Sequence, residues 1–158
     1  MTRYVQDYHI VPLQIPIASA GSTAVAAINA VNMSYYNWAE LCLQIGAFST
    51  ADATLTVLNS TAATTVSALA IPFAYRLSAT VGADVMGALT TCDSGGLTLG
   101  NASEDDKMVV VCVDPKRLDS GYPWVRMYIT HGSDDEMTMS AFAVLYPKYA
   151  QAANISST

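Results

Sequence analysis

Between Trp38 and Phe48 the chain reads WAELCLQIGAF, which puts Ala39, Leu41, Leu43, Ile45 and Ala47 on one side of an extended backbone. Glu40, Cys42 and Gln44 fall on the other side, with Trp38 and Phe48 at the ends. A two-residue apolar period suits a half-buried strand and not a helix, whose buried positions recur every three or four residues. The same period returns in ATLTVLN (53–59), IPFAYRL (71–77), WVRMYITH (124–131) and MTMSAFAVLY (137–146). In IPFAYRL, Ile71, Phe73, Tyr75 and Leu77 alternate with Pro72, Ala74 and Arg76, and a proline inside a strand marks an edge or a bulge. In WVRMYITH, Val125, Met127 and Ile129 oppose Trp124, Arg126, Tyr128 and Thr130.

MVVVCV (108–113) is an unbroken β-branched run, the pattern of a strand covered on both faces. Weaker strands are expected around Val85–Thr91 and Leu97–Leu99, divided by the turn signal Asp93-Ser94-Gly95-Gly96. TAVAAINAV (23–31) fits a short helix or a first strand. With about seven to nine short strands and no amphipathic helix, the expected fold is all-β: an antiparallel β-sandwich or jelly-roll-like domain. It spans residues 24–147, after an extended N-terminal arm (1–23) and before a short C-terminal tail (148–158). In the arm Pro12 and Pro16 exclude a helix, while Val11, Leu13, Ile15 and Ile17 alternate. Such an apolar arm lies against its own domain or against a neighbouring subunit.

Only 13% of the 158 residues are charged, against 52% apolar, so there is too little charge to cover a free surface in the ordinary way. Much of the surface is therefore expected to meet other protein. The net charge is −6 and the only basic cluster is Lys116-Arg117, which argues against direct contact with nucleic acid. No run approaches the ~20 apolar residues of a membrane span. Residues 10–20 mimic a signal peptide, but Pro12, Gln14 and Pro16 interrupt the apolar run and Asp7 spoils a basic leader. Cys42, Cys92 and Cys112 are too scattered for a disulfide framework or a zinc site and read as buried free thiols in a reduced compartment.

Chemistry finds little purchase. His9 and His131 are far apart, and no G-x-S-x-G accompanies them, although His131 with Asp134 or Asp135 is the one arrangement that an enzyme would use. The acidic runs Glu104-Asp105-Asp106 and Asp134-Asp135-Glu136 lack EF-hand spacing and read as solvated turns. Tyr35, Tyr36 and Trp38 are candidates for stacking on sugars. No catalytic residue, metal ligand or cofactor is expected.

The densest stretch, DPKRLDSGYPWVRMYIT (114–130), parses as strand, capped turn, strand. Asp114-Pro115 initiates a turn, Pro115 to Leu118 makes one helical turn with Leu118 as its apolar plug, and Gly121 supplies a positive φ. Arg126, flanked by Trp124 and Tyr128, is placed on the polar face.

In order, IGAF (45–48), DATLTVLNST, PFAYRLS, GADVMGALTT, MVVVCVDPKRLDSGYPWVRMYIT and SAFAVLYPKYA resemble a group of small tailed-bacteriophage virion proteins. Asp114, Leu118, Asp119, Gly121, Tyr122, Val125 and Arg126 match that group's strand–turn–strand pattern, and the resemblance covers about residues 33–150. It implies a non-enzymatic head decoration (cement) protein, a β-sandwich that forms a homotrimer, binds the major capsid protein and staples neighbouring capsomers. Such a protein is made in the bacterial host cytoplasm and ends on the capsid surface of the virion. The interface candidates are Val11, Leu13, Ile15 and Ile17 of the apolar arm, which lies outside the resemblance and is expected to cross a neighbour, and Trp38, Trp124, Arg126 and Tyr128, because aromatics and arginine dominate protein contacts. The rival expectations are a tail, neck or adaptor component, and a glycan- or receptor-binding jelly roll.

Overall fold

The alternating segments become strands in which every second side chain is buried. The computed structural model describes residues 8–19, 26–48, 52–64, 67–82, 84–100, 103–131 and 137–148. In chain order these carry β1 (His9–Ser19), β2 (Ala26–Ala27), β3 (Val31–Asn32), β4 (Tyr36–Phe48), β5 (Ala53–Ser60) and β6 (Leu69–Ala70). There follow β7 (Phe73–Leu77), β8 (Thr90–Cys92), β9 (Leu97–Leu99), β10 (Met108–Val113), β11 (Trp124–Thr130) and β12 (Met137–Pro147). The first sheet has the order β1-β12-β4-β10-β7-β8 and the second β2-β11-β5-β6, with β3 also on β11 and β9 also on β5. All pairings are antiparallel, and the two sheets pack against each other as a β-sandwich.

The core lies between them. From the first sheet come Leu41, Leu43 and Ile45 of β4, Val109 and Val111 of β10, and Met139, Ala143 and Leu145 of β12. From the second come Leu55 and Val57 of β5 and Val125, Met127 and Ile129 of β11. Burying a Val, Leu or Ile side chain contributes about 1.5–3 kcal/mol, so these paired rows dominate the stability of the sandwich.

The turn between β10 and β11 forms as its residues dictate. The Asp114 side chain accepts a hydrogen bond from the Lys116 N–H at 2.9 Å, and Pro115–Arg117 form a single 3-10 turn. Leu118 packs against the core, and Gly121 adopts φ 84°. The turn joins the inner strand of one sheet to the inner strand of the other.

Three segments differ from the sequence expectation. Residues 9–19, assigned above to an arm, are an integral strand: β1 pairs with β12 from His9 opposite Leu145 to Ser19 opposite Met137. The folded domain therefore begins before residue 24, and of the two places open to the arm it takes its own domain. Pro12 and Pro16 fit because β1 is an edge strand, where a missing N–H costs no ladder bond. Second, MVVVCV is covered on one face only. Val109, Val111 and Val113 are buried, whereas Met108, Val110 and Cys112 are half-buried on the outward face. Third, the strand expected over Val85–Thr91 shrinks to Thr90–Cys92. Before it the chain makes a bridge between Ser78 and Met86 and leaves Val81, Val85 and Leu89 exposed. The ambiguous segment 23–31 contributes two short strands, β2 and β3, in its described part.

Candidate protein-contact faces

A sandwich in water normally carries its charges on the outward faces of its strands. Here, among the described residues, only three charged residues lie on strands: Glu40, Arg76 and Arg126. The other described charges sit in the connections between strands or, for Lys148, just after the last strand. Two broad sheet faces nearly free of charge are the result, and each gathers some of the candidate residues.

The outward face of the second sheet is built by β5 and β11, in register from Trp124 opposite Ser60 to Thr130 opposite Thr54. Because Val125, Met127 and Ile129 point into the core, Trp124, Arg126, Tyr128 and Thr130 point out beside Thr54, Thr56, Leu58 and Ser60. Trp124, Tyr128 and Leu58 are half-buried. Thr56 Oγ1 donates to the Tyr128 carbonyl at 3.2 Å, tying the two strands across this face.

Arg126, expected on the polar face of its strand, lies on that outward face but is covered. It is 5% exposed, and its Nη2 donates to the carbonyl of Ala63, in the connection after β5. Its Nε is buried without a hydrogen-bond partner. Burial also lowers its pKa from the ordinary arginine value. The guanidinium is thus roofed by the residues that follow Ser60, whose own hydroxyl donates to the Ala62 carbonyl at 2.6 Å. Nothing local to Arg126 points to this roof, which comes from 63 residues away along the chain.

The outward face of the first sheet holds Trp38, Glu40, Cys42 and Gln44 of β4, Val110 and Cys112 of β10, and Phe142, Val144 and Tyr146 of β12. Trp38 lies opposite Tyr146, whose ring meets Tyr8 edge-on at 4.6 Å between centroids. Cys42 is buried, and that burial, aided by the nearby Glu40, pushes its thiol up to about 12. All three cysteines are free thiols, but of the three expected to be buried only Cys42 is; Cys92 and Cys112 are half-buried.

The arm candidates divide. Leu13 is 1% exposed and belongs to the core, Val11 and Ile17 pack against it, and Ile15 is 70% exposed. The structure therefore brings Trp124, Arg126 and Tyr128 together on one face and places Trp38 on the opposite sheet. The arm residues fall along that sheet's edge.

The sugar-stacking candidates do not form one platform. Tyr36 is fully buried, with its hydroxyl 3.2 Å from His9 Nδ1, whereas Tyr35 is exposed and Trp38 half-buried. His131 is buried at the end of β11, so it is not an exposed loop histidine, and Asp134, Asp135 and Glu136 lie outside the described residues. Among the described residues no three His, Cys, Asp or Glu side chains group as metal ligands. Glu104 serves its own turn, accepting from the Gly100 N–H at 2.7 Å and from the Ser103 hydroxyl. No helix of the described residues is long and apolar enough to cross a membrane.

One polar feature gave no sequence signal. Asn59, fully buried at the end of β5, donates from Nδ2 to Asp119 Oδ2 at 2.9 Å, and its Oδ1 has no partner. Asp119 and Leu118 line an open cleft of about 420 Å³ together with Ser34, Tyr122 and Lys148. The Lys148 ammonium is already engaged by the Ser34 carbonyl at 2.7 Å. Comparison with known protein families, with curated proteins and with solved structures finds no match to this chain.

Proposed function

We propose that this protein is a non-enzymatic structural component of a bacteriophage virion, a head decoration protein that packs on the capsid and bridges neighbouring capsomers. The observation that carries the reading is the near absence of charge from the outward strand faces, where, among the described residues, only Glu40, Arg76 and Arg126 are charged. Such faces are poorly suited to bulk water and well suited to protein. The face of β5 and β11, with Trp124 and Tyr128 either side of a roofed Arg126, is the one offered to the capsid protein. Large aromatic side chains there supply contact area at low entropic cost. At about 25 cal/mol per Å² of apolar area, a modest contact repeated over a shell adds up to substantial reinforcement. The strand–turn–strand pattern from Asp114 to Arg126 supports the phage assignment through its resemblance. A homotrimer is the closed symmetry carried by that resemblance.

Copy number in purified virions tests the proposal. A decoration protein approaches the major capsid protein in abundance, whereas a neck or tail component is present in a small fixed number and its detection at that level would replace this reading. Added to undecorated capsids, the protein should co-sediment with them, and Trp124→Ala together with Tyr128→Ala should abolish co-sedimentation while leaving the fold intact by circular dichroism. Saturable binding to a host glycan, with no binding to capsids, would favour a receptor-binding module instead.

A further inference from the structure

The outward face of the first sheet carries a charge pattern that complements itself. On the central strands the register sets out a small grid: Glu40 beside Cys112 beside Ala74 in one row, and Cys42 beside Val110 beside Arg76 in the next. Glu40 and Arg76 occupy opposite corners, with only Cys112, Val110, Cys42 and Ala74 between them. Cys112 feels both charges: burial pushes its thiol up, Glu40 adds to the rise and Arg76 opposes it. Val110, Cys112 and Ala74 are half-buried, as is Phe142 toward the β1 edge, where Ile10 is 48% exposed; Cys42 and Val144 lie buried beneath this surface. Both charges keep bonding capacity. Glu40 accepts only a long 3.3 Å bond from the Tyr146 hydroxyl, and Arg76 uses Nη1 on the Gly87 carbonyl at 2.9 Å.

A two-fold axis lying in the plane of contact, across the Glu40–Arg76 diagonal, exchanges the two corners. Glu40 of one copy then meets Arg76 of the other, twice, and β10 packs on β10 close to the axis. Two sheets stacked in this way sit about 10 Å apart with their side chains interdigitated. A two-fold contact is isologous, so one self-complementary patch is all it needs. We infer that the outward face of the β1-β12-β4-β10-β7-β8 sheet is a self-association surface, occupied by a second copy of this chain through reciprocal Glu40–Arg76 ion pairs around Val110 and Cys112. This contact is separate from the capsid-facing surface on the other sheet. It can coexist with a three-fold elsewhere on the molecule only in an assembly with an even number of chains.

Light scattering coupled to size-exclusion chromatography on the full chain provides the test. Wild type is expected as a dimer or a higher even-numbered species. Glu40→Arg and Arg76→Glu each place like charges at both corners and should weaken pairing at least tenfold in dissociation constant. Mixing the two variants restores one Glu–Arg pair of each kind and should restore wild-type mass, as should the double exchange within one chain. In a Cys92→Ser background a short bismaleimide should join Cys112 of two copies, giving a covalent dimer on a denaturing gel that Cys112→Ser abolishes. A monomer or a trimer as the only species, or charge reversals that leave the mass unchanged, would overturn the inference. A trimer would do so while leaving the virion reading intact. If a reversal variant fails to fold by circular dichroism, the Cys112 cross-link decides alone, and its absence overturns the pairing.

Discussion

Arg126 is the residue where charge and burial conflict most directly. A guanidinium has five N–H donors, yet here one engages the Ala63 carbonyl and the buried Nε engages nothing. Taking an arginine out of water costs several kcal/mol, and a neutral carbonyl returns only part of it. Arg126→Met keeps the length of the stem and removes the charge. We expect its unfolding free energy, measured by urea titration, to equal that of wild type or exceed it by about 1 kcal/mol. A loss of more than ~3 kcal/mol would instead mean that the guanidinium anchors the roof over this face. Cys42 offers a second test at this scale. Its thiol is pushed from 9.0 to about 12, chiefly by burial. Below pH 9 both folded and unfolded chains keep the proton, so the thiol has no effect on stability. As pH rises above 9.0 toward about 12, the unfolded chain loses the proton that the folded chain retains, and stability falls. Urea midpoints of wild type should therefore drop between pH 8 and pH 11 more steeply than those of Cys42→Ala, and equal slopes would contradict this assignment.

Among the elements, β1 changes most between sequence and structure. Its alternation was plain, but alternation names a strand without naming its partner, and the partner is β12, at the other end of the chain. Leu13 and Ile15 look alike in sequence; only the structure separates a 1% exposed side chain from a 70% exposed one. Leu13→Ala should cost about 2–4 kcal/mol in chemical denaturation, while Ile15→Ala should stay within about 0.5 kcal/mol. Similar costs at both sites would mean that β1 is not seated as described. Other elements were readable for clear reasons. The segments β4, β5, β11 and β12 announce themselves because one face is buried and the other is not. MVVVCV misled because β-branched residues report extended backbone but not what covers each face. The Asp114–Gly121 turn was readable almost atom by atom, since its capping is local. By contrast the Asn59–Asp119 bond and the roof on Arg126 join residues about 60 positions apart, and no local rule points to them.

For the whole molecule, the consequence is an uneven distribution of charge. The net charge of −6 resides mainly in the connections between strands, while the broad faces depend on hydroxyls, small side chains and aromatics. Long-range repulsion between these acidic connections opposes association beyond the pair in dilute solution, and it vanishes near the isoelectric point of about 4.5. Light scattering recorded as pH falls from neutral should rise to a maximum near pH 4.5, where the faces are free to stack. A single lysine at Thr98, exposed on the outward face of β9, should suppress that maximum. The same charge at Thr80, exposed in the connection after β7, moves the isoelectric point equally but leaves the faces uninterrupted, so it should shift the maximum without lowering it. Equal suppression by both variants would show that net charge alone governs association, and the sheet faces would lose their claim to be the sticky surfaces of this protein.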